Sequence, residues 1–96
     1  MKIKGHLYDL GRFPGWRYET RGWVHGTILR VPLQFRTKFV QHCDALEGDA
    51  FERRLVIAYN EDENIQDIAW AYHYNGKTNV SQRVQDGIWK GSNSPV

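Results

Sequence analysis

Residues 43–60 read CDALEGDAFERRLVIAYN, and within them the hydrophobic period changes from that of a helix to that of a strand. Upstream, Phe35, Phe39, Cys43 and Leu46 recur at spacings of four, four and three, one apolar helical stripe. Pro32 suits the opening of that helix, because its missing N–H is not needed in the first turn. Gly48 is a plausible stop just past the last apolar residue. The spacing therefore predicts a helix over about Leu33 to Leu46, with Glu47 at its C-terminal end. Beyond Gly48 the period is two. Phe51, Arg53, Leu55, Ile57 and Tyr59 fall on one face of a strand.

Working outward, EDENIQD is a polar connection and IAWAYHYNG a returning strand. There Ile68, Trp70, Tyr72 and Tyr74 alternate with Ala69, Ala71 and His73, which suits a tightly curved sheet with one narrow face. GWVHGTILRV, residues 22–31, reads as a further strand, in which Gly26 suggests close approach by another segment or a ligand. Lys2 to Tyr8 is the first strand, and Gly11, Pro14 and Gly15 then break the chain. Trp16 to Arg21 reads as a loop or a short hairpin arm, VQDGIW as a last strand or turn, and residues 91–96 as a loose tail. The expectation is one α+β domain over residues 1–96, a small barrel of four or five strands with one main helix.

The 41% apolar and 14% aromatic content suits a packed globule rather than a disordered chain. The single cysteine, Cys43, forbids an internal disulfide and fits a reducing compartment. No signal-peptide run and no apolar stretch of membrane-spanning length occurs, so a soluble cytoplasmic protein that does not enter membranes is expected. Charge is unevenly placed. Through Lys38 there are eight basic and two acidic residues; from Phe39 to Asp67 there are eight acidic and two basic. Arg12, Arg17 and Arg21 alternate with Phe13, Trp16, Tyr18 and Trp23, a composition also seen on nucleic-acid surfaces. A solvated charged loop is the expected reading, and no nucleic-acid partner is expected.

Phosphate loops, paired-cysteine zinc sites, H-E-x-x-H and G-x-S-x-G are absent from the sequence. His6, His25, His42 and His73 are not spaced as metal pairs on one face, so no metal site is expected. Cys43, on the apolar stripe, reads as core rather than nucleophile. Glu47 is the carboxylate of interest. At a helix C-terminus it faces the negative end of the macrodipole, and partial burial there would raise its pKa toward that of a general acid/base. The alternative is an ordinary exposed glutamate.

Five segments occur in one order at close spacing: GHLYDLGRFPG, VHGTILRV, CDALEGDAFERRLV, AWAYHYNG and VQDGIW. Together they resemble the gamma-glutamylcyclotransferase-like family over nearly the whole chain. That family shows G-x-L-Y-x-L-G-x-[YF]-P, then V-x-G-E-x-Y-x-V, L-D-x-x-E-G-x-x-Y-x-R and A-x-x-Y-x-Y. The resemblance implies a small mixed β-barrel with a helix against it, a ligand cavity and no cofactor. In active members the amine of a γ-glutamyl group attacks its own side-chain amide, giving 5-oxoproline and a free amine. The resemblance implies that Glu47 is the acid/base of this step. It further implies that Tyr8, Leu10, Gly11, Arg53, Tyr72 and Tyr74 contribute substrate-binding wall, backbone donors, charge or hydroxyls.

The sequence departs from the family pattern at several places. Cys43 stands for Leu, Phe51 for Tyr and Thr27 for Glu, and no Y-G-[ST]-x-L occurs in the 96 residues. In the family that element supplies a strand and the backbone donors for the substrate carboxylate. The fold is therefore expected to be N-terminally shortened, with a homo-oligomer closing the gap. Three functions remain open: an enzyme acting on a γ-glutamyl amine, a non-catalytic binder of a small anionic or nucleotide-like ligand, and a protein-interaction module.

Overall fold

The computed structural model describes residues 1–90, so the tail assigned to residues 91–96 lies outside the described residues. In chain order the elements are β1 (Lys2–Lys4), β2 (His6–Asp9), β3 (Pro14–Arg17) and β4 (Trp23–His25), then a 3₁₀ turn (Leu33–Phe35) and α1 (Arg36–Glu47). β5 (Phe51–Tyr59), β6 (Ile65–Tyr74), a second 3₁₀ turn (Val80–Gln82) and β7 (Arg83–Val84) follow. The strands form one sheet in the order β4-β1-β5-β6-β3-β2-β7. It is mixed: β3 runs parallel to β6, and every other pair is antiparallel. The sheet curls, and the His25 N–H donates to the Gly87 carbonyl at 2.9 Å, so the loop after β7 meets β4. The α+β class with one main helix is as the sequence implies, but the strands among the described residues number seven rather than four or five and form a curled half-barrel.

The expected first strand is divided at Gly5. Its φ is +143°, and a Cβ there would lie 2.3 Å from Trp16 Nε1 and 2.4 Å from the Arg17 carbonyl. Only glycine allows both this bend and this approach. The indole N–H of Trp16 then donates to the Lys4 carbonyl at 3.0 Å. β2 and β3 form a hairpin that sets Leu7 opposite Trp16. Leu7, Trp16 and Val24 are the buried cluster, with Ile3, Val56, Ala71, Val84 and Trp89 packed on it.

The expected strand over residues 22–31 is shorter than its pattern. His25 pairs with Lys2, the first residue of β1, and no strand lies alongside the segment beyond it. Met1 does approach Gly26: the Gly26 N–H donates to the Met1 carbonyl at 2.9 Å and the Met1 ammonium donates to the Gly26 carbonyl at 3.2 Å. A Cβ built on Gly26 would meet nothing within 4 Å, however, so this approach does not require glycine. The helix spans what its pattern implies, and the Gly48 N–H caps it on the Asp44 carbonyl at 3.2 Å. Its apolar stripe is not buried, however. Phe35, Phe39 and Leu46 are exposed and Cys43 is half-buried, so Cys43 is not the core residue expected.

β5 and β6 form a long twisted ribbon, paired from Phe51 opposite Tyr74 to Tyr59 opposite Ile65. Asn60 closes its tip by accepting from the N–H groups of Asp62 and Asn64, each at 3.0 Å. The small residues Val56, Ala58, Ala71 and the buried His73 face the core. The large residues face the other way. Among the described residues no helix is long and apolar enough to cross a membrane.

Candidate functional site

The C-terminal turn of α1 meets the outward face of the ribbon at one point. The Tyr72 hydroxyl donates to Asp44 Oδ1 at 2.5 Å, and Arg53 Nη2 lies 3.7 Å from Asp44 Oδ2. Arg53 and Tyr72 are cross-strand partners, so period-two alternation sets both side chains toward the helix. The guanidinium also lies over the Trp70 ring, 4.9 Å from its centroid. Burial pushes the Tyr72 phenol well above its ordinary value, and the Asp44 carboxylate beside it adds to the effect. A neutral, donating hydroxyl is thus fixed against a carboxylate.

Two clefts open from this point. The larger, about 600 Å3, lies between the segment of residues 24–31, α1 and the ribbon. Its charged lining is predominantly basic, with Lys2, Arg30, Arg36 and Arg53 against Asp67. Arg30 pairs with Asp67, whose carboxyl is held below its ordinary range by the Ile68 N–H first and by Arg30 second. The smaller cleft, about 490 Å3, is lined by Asp44, Asp49, Glu52, Phe51, Asn75 and the same Arg53 and Tyr72. It is acidic. Arg53 and Tyr72 line both clefts, so a ligand extending from one to the other passes them.

Glu47 is half-buried at the end of α1, one turn beyond Asp44 on the same helix face. It lines neither cleft, and among the described residues no hydrogen bond or ion pair reaches its carboxylate. Tyr74 packs on Phe51, a wall residue of the acidic cleft, with ring centroids 5.2 Å apart. Leu10, in the β2–β3 turn, lies near Tyr74: its Cδ1 is 2.8 Å, and Tyr74 Cβ 3.1 Å, from where a Gly15 Cβ would be. Tyr8 pairs with Gly15 and Arg83, and Gly11 is exposed with its N–H on Asp9 Oδ1 at 2.8 Å. None of Tyr74, Leu10, Tyr8 and Gly11 lines either cleft. The structure therefore groups Arg53 and Tyr72, sets Tyr74 against Phe51 beside them, and leaves Leu10, Tyr8 and Gly11 outside both clefts.

Asp44 was not singled out from the sequence as a site residue, although it holds Arg53 and Tyr72 together. Its signal was its position three residues before Glu47 in the segment CDALEG. Among the described residues, no three His, Cys, Asp or Glu side chains come together as metal ligands do.

A family model, gamma-glutamyl cyclotransferase, AIG2-like, matches residues 1–91. The chain belongs to this family. The match spans every described element, from β1 through β7. Comparison with curated proteins and with solved structures returned no match. The family positions of L-D-x-x-E-G and Y-x-R fall at α1 and β5, on either side of the junction between the clefts. Phe51, where the family pattern has Tyr, lines the acidic cleft, and Thr27, in place of Glu, lines the basic one.

Proposed function

We propose that the protein cleaves a γ-glutamyl amine or a related amide by intramolecular cyclisation, with Glu47 as the general acid/base. Family membership supports this reading. The observation that carries it is the junction one helical turn from Glu47, where Asp44 holds Arg53 and Tyr72 between an acidic and a basic cleft. Arg53 would pair with the substrate's α-carboxylate through its planar fork. The acidic side, with Asp49 and Glu52, would receive the α-ammonium. The leaving amine would extend along the basic cleft past Trp70 and Phe39.

In the reaction, Glu47 takes one proton from the α-ammonium, and the freed nitrogen attacks the γ-carbonyl carbon. The bond from that carbon to the leaving nitrogen breaks as a lactam C–N bond forms. Both protons lost by the ammonium end on the leaving amine, one of them by way of Glu47, and no water is consumed. Both reacting groups belong to one molecule, so holding the substrate folded supplies much of the acceleration.

The test is to incubate γ-glutamyl amines with wild type and Glu47→Gln and to quantify 5-oxoproline by NMR. Turnover by the wild type and its loss in a folded Glu47→Gln are expected. Undiminished turnover in the variant would overturn the role of Glu47. A second reading rests on the basic lining of the larger cleft: binding of a small anionic ligand without turnover. It requires anions to raise the melting temperature while no γ-glutamyl amide is consumed.

A further inference from the structure

The ribbon carries an apolar face that no other part of the described chain covers. Leu55 is 60% exposed, Ile57 43%, Ile65 68%, Ile68 60% and Trp70 57%. Cross-strand pairing of Leu55 with Trp70 and of Ile57 with Ile68 places these four on one face, and Ile65 continues it opposite Tyr59. Between Lys2 opposite Tyr59 and Trp16 opposite His73, no other strand pairs with either edge of the ribbon among the described residues. α1 meets this face at Asp44, beside Arg53 and Tyr72, and leaves the five apolar side chains open.

We infer that this face is the contact between two copies of the chain, packed ribbon on ribbon about a two-fold axis. Area is the first argument. The five side chains expose roughly 500 Å2 on one copy, as large as the main apolar patch of a typical monomer. Two such faces together remove roughly 1,000 Å2 from water, which reaches the range of a specific interface before any rim is counted. A second copy supplies that matching area because a two-fold interface uses the same patch twice.

Charge is the second argument. The charge that reaches the patch, the Arg53 guanidinium over Trp70, already faces the Asp44 carboxylate, so burial leaves it paired. Ile68 and Trp70 also line the larger cleft, so the second copy becomes part of the wall around it.

The experiment is sedimentation velocity on the full chain over roughly 1–200 μM, the range of a modest interface. A concentration-dependent monomer–dimer equilibrium is expected, with tryptophan emission shifting to the blue as Trp70 is covered. Leu55→Glu combined with Ile57→Glu places two charges on each face without touching either cleft. It should raise the dimer dissociation constant at least about 100-fold, since each copy loses two central contacts. Ile65→Glu, at the tip end, is the milder variant if the double change impairs folding by circular dichroism. A wild type that stays monomeric across the range overturns the inference. So does a dimer whose dissociation constant is unmoved by the folded variant, because its contact then lies elsewhere.

Discussion

Replacing Tyr72 with Phe removes the hydroxyl that joins the ribbon to α1 and leaves the ring in place. The lost bond is 2.5 Å long and ends on an ionised acceptor, Asp44. Hydrogen bonds to charged groups contribute about 1.5–3 kcal/mol, and an acceptor as solvated as Asp44, 44% exposed, falls below that range. We expect Tyr72→Phe to lose about 1 kcal/mol, which lowers the melting temperature of a domain this size by about 4–8 °C. The pH dependence separates this bond from general damage. The phenol's pKa is raised in the folded protein above its unfolded value of about 10. Its contribution is therefore fully present below about pH 10 and is lost as pH rises toward the folded value. The stability gap between wild type and Tyr72→Phe should be constant from pH 7 to about 9. It should then narrow by about 1 kcal/mol per pH unit above 10, after allowance for the partial exposure of the site. Urea denaturation followed by circular dichroism at a series of pH values measures both quantities, and the other tyrosines cancel in the comparison. A gap near zero at pH 7, or one that does not narrow in alkali, would refute the reasoning.

Gly87→Ala should be severe, at about 2–3 kcal/mol or more. Gly87 has φ +67°, and a Cβ there would lie 1.8 Å from the Trp23 carbonyl, at the contact that brings β4 to the loop after β7. Gly26→Ala, by contrast, meets no atom within 4 Å and should move the urea midpoint by no more than about 0.5 kcal/mol in equivalent stability. Arg53→Lys keeps the charge but removes the planar fork, so steady-state kinetics on a γ-glutamyl amine should show KM rising about tenfold with a smaller change in kcat.

Much of the fold was legible because period and punctuation agreed locally. The change of period at Gly48 located the end of α1 and the start of β5. The alternation of large and small residues in IAWAYHYNG marked β6 as a strand with one narrow face, without telling which face turns to the core. Boundaries failed where another segment decided them. Val24 to Val31 alternates like a strand, but a strand needs a partner, and β1 flanks it no further than His25. Gly5 looked like one residue within a strand, whereas the approach of Trp16, distant in sequence, makes it a bend. The α1 stripe marked an apolar face, but periodicity carries no information about what covers it. At the site, Arg53 and Tyr72 were identified through the family resemblance, and their meeting followed from strand register. Asp44 escaped notice because a carboxylate one turn before a catalytic candidate is unremarkable until the ribbon is set against the helix.

The central claim is that the γ-glutamyl amide opens by attack of its own amine and not by attack of water. Turnover in water enriched in 18O, with products read by mass spectrometry, distinguishes these routes directly. We predict 5-oxoproline without the label, one amine released for each, and neither product from Glu47→Gln. Glutamate carrying 18O in its γ-carboxylate, or intact substrate after prolonged incubation with the wild-type protein, would contradict the account.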